Sequence, residues 1–172
     1  ELLLELDHDD ELSPYCLEEI DKAHSYNDCD FYYSDDIDIV EETGESIAPY
    51  PEDGGWKYYK CPRTQMIATR AFSPDPLTFG YIWYAPNHVR VWSKEFYDRI
   101  GGHDESMDVL DDHDLLCRTY IEGKVFHIEK PLYIYWRHNE NTCYGEKNAK
   151  IQELTKELHD KYIQQLTVNG AT

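Results

Sequence analysis

The order of the predicted elements favours the α/β fold class. Leu2, Leu3, Leu4 and Leu6 form a short apolar run typical of a strand buried on both faces of a parallel sheet. A helix signal follows it, and residues 31–34 indicate a second strand. Acidic residues directly follow each of these strands, which is the expected place for a site at the carboxyl edge of a sheet. The length of 172 residues allows one domain.

The first helix is predicted to begin at Ser13. The Ser13 hydroxyl can cap the helix, Pro14 suits its first position, and Leu12 can contact Leu17 across the first turn. The helical spacing predicts an inner face formed by Leu17, Ile20 and His24. The second strand is then predicted to end at Asp35 and Asp36.

The middle of the chain has weaker signals. Residues 41–64 resemble a loop because glycine and proline are frequent there, and residues 65–92 remain ambiguous between helix and strand. Ser93 can cap a short helix that Gly101 and Gly102 terminate.

The last third of the chain gives clearer signals. Residues 111–122 are predicted to form a helix that Gly123 ends, with Leu115, Leu116 and Tyr120 buried. Residues 125–128 and 132–136 are predicted as two short strands. Residues 144–172 are predicted as an amphipathic helix packed on the domain through Ile151, Leu154, Leu158, Tyr162 and Leu166.

The acidic charge is concentrated at the start of the chain. The net charge is −19, and residues 1–53 hold 19 acidic residues and one basic residue. Such a surface repels phosphate backbones and anionic lipids, which excludes a nucleic-acid coat or a polybasic membrane anchor. No apolar run approaches the length of a membrane span. Five cysteines without C-x-x-C spacing favour a reducing compartment over a disulfide scaffold or a zinc ribbon.

The first candidate site is the cluster Asp7, Asp9 and Asp10. Three carboxylates in four residues repel one another unless a cation or hydrogen-bond donors offset them. Oxygen ligands suit Mg²⁺ or Mn²⁺, which often keep places open for phosphate oxygens. A solvated acidic turn explains the same residues, so the spacing alone leaves both interpretations open.

The second candidate site begins at Asp111 and Asp112. Acidic residues favour a helix N-terminus through the helix dipole, so this cluster also has a purely structural explanation. The functional alternative is a general base, which needs a pocket and reach to a substrate hydroxyl. Among the histidines, His138 is the strongest candidate ligand.

Five segments, taken in order, resemble a family 2 glycosyltransferase of the GT-A fold. Residues 6–14 (LDHDDELSP) resemble its strand followed by a D-x-D motif, and residues 31–35 (FYYSD), with ID at 37–38, resemble its Y-S-D stretch. Residues 100–105 (IGGHDE) and 111–115 (DDHDL), the latter with Arg118, are similar to its I-G-G-F-D-E turn and E-D-x-D-L segment. Residues 127–133 (HIEKPLY) and 136–137 (WR) resemble its closing strand pair.

The resemblance implies a metal-assisted, inverting transfer of a sugar from a nucleotide-diphosphate donor, of UDP, dTDP or GDP type, to a saccharide or glycoconjugate hydroxyl. It assigns Asp112 as the catalytic base. It assigns Mn²⁺ or Mg²⁺ to Asp9, Asp7 and His138, and the donor to Asp7, Asp10 and Arg137. The acceptor is assigned to Asp111, Trp83, Tyr84 and His88.

The same resemblance implies that residues 1–143 are the C-terminal portion of a GT-A catalytic domain, because the family's nucleotide-binding half precedes the D-x-D strand. The first strand would then leave an exposed sheet edge through which an oligomer could form. The family's usual location is the cytoplasm, including the inner face of the membrane.

Two other classes of function remain open from the residues alone. Four His-Asp pairs, at 8–9, 103–104, 113–114 and 159–160, also suit a metal-dependent phosphohydrolase or nuclease. A non-catalytic acidic domain that binds Ca²⁺ or a protein partner is the other alternative. The segment at Asp7 lacks the glycine and the closing glutamate of an EF-hand loop.

Overall fold

The computed structural model describes residues 1–82, 85–139 and 146–169. Within these ranges eight strands form one mixed sheet with helices beside it, which confirms the α/β class. The strands are β1 (Leu2–Glu5), β2 (Glu11–Leu12), β3 (Phe31–Val40), β4 (Glu45–Ile47), β5 (Lys57–Lys60), β6 (Ile67–Arg70), β7 (Arg90–Ser93) and β8 (Val125–Arg137). The helices are α1 (Cys16–Tyr26), α2 (Pro76–Tyr81), α3 (Lys94–Arg99), α4 (Asp111–Glu122) and α5 (Glu146–Asn169), with a 3₁₀ turn at Glu52–Gly54.

Strand β3 lies at the centre of the sheet. The main strand order is β1-β7-β3-β6-β5, while β8 pairs with β3 and β2, and β4 pairs with the end of β3. Strand β7 runs antiparallel to both β1 and β3, and β8 runs parallel to β3. Strands β1, β3 and β8 therefore point in the same direction, and their carboxyl ends share one side of the sheet.

The prediction that the leucine run is buried in a parallel sheet is wrong. Strand β1 pairs antiparallel with β7 and lies at the end of the strand order, so its residues are only partly buried. Leu2 and Leu4 pack against the core below α1, whereas Leu6 is 47% exposed. The apolar run therefore corresponds to a partly buried strand at the end of the strand order.

Helix α1 begins two residues later than predicted, with Tyr15 in place of Ser13 as the cap residue. The Ser13 amide donates to the Leu132 carbonyl of β8, and the Tyr15 side chain makes no capping bond. Of the predicted inner face only Ile20 is buried, because Leu17 is 67% exposed and His24 is exposed as well. The inner face instead consists of Cys16, Glu19, Ile20 and Ala23.

Strand β3 continues past its predicted end. It runs to Val40, and Asp35, Asp36 and Asp38 are buried within it. Strand β8 is likewise one strand of 13 residues where two were predicted. Register shifts around Asp35 allow β8 to stay paired with β3 through Pro131. Strands β4 and β5 also lie in the segment predicted to be a loop.

The helices around the later glycines follow the sequence signals. The Ser93 hydroxyl accepts from the Phe96 amide at the start of α3, and Gly101 and Gly102 follow that helix with φ values of 89° and 62°. Helix α4 has the predicted bounds, and Leu115 and Leu116 are fully buried. Helix α5 joins the same core through Ile151, Leu158, Tyr162 and Leu166.

The cysteines of the described ranges are all free thiols: Cys16, Cys29, Cys61 and Cys117. Cys143 lies outside the described residues. No helix in the described part of the chain is long and apolar enough to cross a membrane.

Candidate functional site

A pocket of about 460 Å³ lies on the side of the sheet where β1 and β8 end. Its walls come from the turn after β1, the loop before β7, the start of α4 and the end of β8. Crevices at the carboxyl ends of strands are the usual ligand sites of α/β sheets. Six residues predicted for a functional site line this pocket: Asp7, Asp9, His88, Asp111, Asp112 and Arg137.

The carboxylate of Asp112 is held at both oxygens. Asp112 lies in the first turn of α4, where Oδ1 accepts a hydrogen bond from the His113 amide at 2.8 Å. Oδ2 accepts from Arg90 Nη1 at 2.9 Å. The side chain is still 28% exposed, so it is fixed in place and remains accessible from the pocket.

A buried arginine links Asp112 to the end of β1. Arg90 is 1% exposed, and its Nη1 also lies 3.5 Å from Glu5 Oε2. Burial by itself would lower the pKa of Arg90, but the carboxylates of Glu5 and Asp112 outweigh it and raise that pKa. Burial also tends to raise the pKa of Glu5, yet Arg90, His103 and His88 hold it far below its usual range.

His103 extends this chain of charges to the turn after α3. Its interaction with Glu5, whose Oε1 lies 3.8 Å from Nε2, raises the pKa of His103 to about 9. The Tyr97 hydroxyl lies 2.8 Å from the other ring nitrogen. His103 therefore carries a positive charge at neutral pH, and charges of alternating sign run from His103 through Glu5 and Arg90 to Asp112.

Asp9 lines the opposite side of the pocket and pairs with His138, which lies outside the set of lining residues. The Asp9 Oδ2 atom lies 3.0 Å from His138 Nε2. Partial burial tends to raise the pKa of Asp9, but the hydrogen bonds from His138 and the backbone, together with the charges of His8 and His138, outweigh it and lower that pKa. The Oδ2 atom of Asp7 lies 3.9 Å from His88 Nε2, and the side chain of Asp7 is 49% exposed.

Asp10, predicted to bind the donor, lies outside the set of residues that line the pocket. Its Oδ1 accepts from the Trp136 amide of β8 at 2.8 Å, and burial raises its pKa. Its contact therefore ties the turn after β1 to the end of β8, which brings Asp9 and His138 together.

The residues fit an open metal site better than a closed one. In the described ranges, no three His, Cys, Asp or Glu side chains converge as they would around a fully enclosed ion. Mg²⁺ is commonly held by one or two carboxylates, with water and substrate phosphates completing its shell. Asp9 and His138 are joined by a hydrogen bond of 3.0 Å in this structure, and a cation would have to replace that bond to bind both side chains.

The guanidinium group of Arg137 forms part of the pocket wall. Its Nε donates to Asp38 Oδ1 at 2.7 Å, and Nη2 donates to the Tyr50 hydroxyl at 3.0 Å. Burial would lower the pKa of Arg137, but Asp38 and Tyr50 raise it, so the group stays charged. Below it, burial and then the charges of Asp38 and Asp35 raise the pKa of Asp36 well above its usual value.

The residues predicted for the acceptor are only partly described. His88 is 8% exposed, stacks on Tyr133 with ring centroids 4.8 Å apart, and has no hydrogen bond to either ring nitrogen among the described residues. Asp111 lies beside Asp112 at the start of α4. Trp83 and Tyr84 lie outside the described residues.

Sequence reasoning missed Glu5 and Arg90, although each left a signal. Glu5 is the one charged residue within the run from Leu2 to Leu6, and Arg90 lies between Val89 and Val91. A charge inside an apolar strand is expensive to bury unless it is paired. Two neighbouring apolar strands that contain opposite charges would have predicted a buried ion pair. Only the fold shows that these two strands are neighbours.

The four His-Asp pairs of the rival hydrolase interpretation are spread over the described structure. Only His8 and Asp9 line the large pocket. His113 is fully buried, and Asp114 accepts bonds from Arg118, Lys161 and Tyr162. The ring of His159 stacks on Tyr81. His103 and Asp104 line a second pocket together with Asp114, whereas His8 and Asp9 line the first, so the four pairs do not all meet at one site.

No model of a known protein family matches the chain, and no curated protein matches it either. The likeness to family 2 glycosyltransferases therefore rests on the order of the sequence motifs alone.

Proposed function

We propose that this chain is a metal-assisted, inverting glycosyltransferase of the GT-A fold, working on a nucleotide-diphosphate sugar and a saccharide or glycoconjugate hydroxyl. The observation that carries the proposal is the pocket itself. Three separate motifs between residues 9 and 137, containing Asp9, Asp112 and Arg137, supply its walls. A cluster of unrelated acidic turns would have no reason to converge at one crevice.

Asp112 is the base in this proposal. The acceptor oxygen forms a bond to the anomeric carbon while its proton passes to a carboxylate oxygen of Asp112. The bond between that carbon and the diphosphate oxygen breaks, and its electron pair leaves with the nucleoside diphosphate. Attack from the face opposite the leaving group inverts the anomeric centre. The accessible, doubly anchored carboxylate of Asp112 suits this role.

Asp9 and His138 would hold Mn²⁺ or Mg²⁺, with Asp7 beside them in the pocket wall. A divalent cation there would neutralise the negative charge that develops on the leaving diphosphate. Because His138 lowers the pKa of Asp9, this carboxylate is ionised at neutral pH and ready to bind a cation. The Arg137 guanidinium offers a fixed positive charge to the diphosphate, as planar guanidinium groups commonly do.

The electrostatics of the pocket support a requirement for metal. Its wall contains six carboxylates: Glu5, Asp7, Asp9, Asp108, Asp111 and Asp112. Its two arginines, Arg90 and Arg137, are both already paired with acidic residues. A bare nucleoside diphosphate would be repelled by this wall. A nucleotide with its cation carries much less negative charge and can enter.

Thermal melts of the protein test this proposal. UDP, dTDP, GDP and CMP are each added with and without Mn²⁺, and Mn²⁺ alone is the control. We expect one nucleotide to raise the melting temperature only when Mn²⁺ is present. A ligand at a hundred times its Kd adds about 2.7 kcal/mol, which for a chain of this size is a shift on the order of 5 °C or more. No shift with any pair, both in this chain and in a longer chain that also contains the nucleotide-binding half, would contradict the proposal, as would a shift that ignores the metal.

A further inference from the structure

We infer that Arg90 is a positioning residue that holds the carboxylate of Asp112 in its place in the pocket. The inference rests on the proposed function only for the role of Asp112 as the base. The position that Arg90 imposes on Asp112 is a property of the folded protein and can be measured without any substrate.

The guanidinium of Arg90 is itself anchored before it reaches Asp112. Its strand β7 lies between β1 and β3 inside the sheet, and the side chain is 1% exposed. Its Nε donates to the Pro86 carbonyl at 2.9 Å, and Nη1 faces Glu5 and Asp112 at 3.5 and 2.9 Å. A planar guanidinium fixed along one edge has its remaining donors aimed in set directions. Arg90 therefore offers Asp112 one defined bonding position.

Without Arg90, Asp112 would keep one hydrogen bond within the described part of the chain, from the His113 amide to Oδ1. An aspartate side chain bonded at one carboxylate oxygen can still change its χ1 and χ2 angles, whereas bonds at both oxygens restrict both angles. Orientation of this kind matters for a base, because a displacement of about 1 Å at a reacting group can cost about a hundredfold in rate.

A purely structural role would not require a cation here. Burying a charge is costly, and a well-packed apolar side chain of similar volume often serves stability equally well. Both carboxylates that Arg90 contacts line the pocket and are partly exposed, Glu5 at 21% and Asp112 at 28%. The arginine is thus directed at the pocket wall, where its contacts fix the orientation of Asp112.

The test compares Arg90→Met and Arg90→Lys with the native protein, and Arg99→Met serves as the control because Arg99 is exposed on α3. Three-bond NMR couplings of Asp112 report whether its χ1 angle occupies one rotamer. We expect one rotamer in the native protein and in Arg99→Met, and averaged couplings in Arg90→Met. Arg90→Lys keeps the positive charge but lacks the forked guanidinium group, so it should restore part of the rotamer order of Asp112. It also serves as the folded variant if Arg90→Met does not fold.

A second readout separates orientation from binding. Once a nucleotide sugar is identified by the melts, Arg90→Met is expected to lower kcat about a hundredfold while the Kd of the donor stays unchanged. Couplings of Asp112 that stay in one rotamer in both folded Arg90 variants would overturn the inference. If no nucleotide binds, the proposed function fails, and the couplings still decide whether Arg90 positions Asp112.

Discussion

Asp112→Asn is expected to lower sugar transfer by about a thousandfold or more, while the Kd of the nucleotide with Mn²⁺ changes by less than about twofold. The amide of asparagine has nearly the shape of the carboxylate but cannot take a proton from the acceptor at neutral pH. General-base catalysis contributes roughly 10²- to 10⁴-fold to rates. The measurement is kcat for transfer together with the Kd of the nucleotide, determined on the same preparation.

Asp108→Asn is the matched control for this substitution. Asp108 lines the same pocket and loses the same charge, but its side chain is 92% exposed, and its closest cation, Lys150, lies 4.0 Å away. Transfer by this variant should stay near the native rate. Near-native turnover in Asp112→Asn would remove Asp112 as the base. An equal loss in both variants would mean that pocket charge, and not proton transfer, limits the rate.

Asp9→Ala is expected to abolish the effect of Mn²⁺ on nucleotide binding. The carboxylate of Asp9 lies 3.0 Å from His138 in the proposed metal site, so its removal takes away one of the proposed ligands. Loss of a metal ligand commonly costs at least as much as loss of its supporting contacts, which is about 10- to 100-fold in metal affinity. A titration of Mn²⁺ at a fixed nucleotide concentration measures this effect.

Glu11→Gln controls for the loss of a negative charge in the same acidic run, because Glu11 is exposed on β2. This variant should keep the native dependence on Mn²⁺. An unchanged Mn²⁺ titration in Asp9→Ala would exclude Asp9 as a ligand. If Glu11→Gln lost the Mn²⁺ effect equally, the effect would come from the overall negative charge and not from Asp9 as a ligand.

The helices with strong local signals were predictable from the sequence. The cap at Ser93, the bounds of α4 and the stop at Gly123 depend on residues next to one another in the chain. Local signals of this kind act without knowledge of the rest of the fold. The start of α1 was not predictable in the same way, because the Ser13 amide is taken by Leu132, which lies far away in sequence.

The acidic half of β3 shows why the strands were harder to predict from the sequence than the helices. Asp35 and Asp38 look like the end of a strand, because isolated charges are costly to bury. In the fold, Asp35 accepts from the Tyr59 hydroxyl and the Ala71 amide, and Asp38 accepts from Arg137. These partners come from distant segments that only the folded sheet brings together.

The residues of the candidate site also differ in whether the sequence alone could identify them. Asp9 and Asp112 were found because each lies in a short motif with an identifiable place in an α/β chain. Glu5 and Arg90 were missed because their meaning depends on the pairing of β1 with β7. The sequence therefore indicated the groups proposed to do the chemistry, while the groups that hold them required the fold.

A crystal of the protein soaked with Mn²⁺ and the nucleoside diphosphate selected by the melts tests the central claim most directly. Anomalous scattering locates the manganese independently of the nucleotide. The account predicts a manganese peak at coordination distance from Asp9 and His138, with the diphosphate between that ion and Arg137. Manganese bound only elsewhere on the acidic surface, or a nucleotide bound outside this pocket, would contradict it.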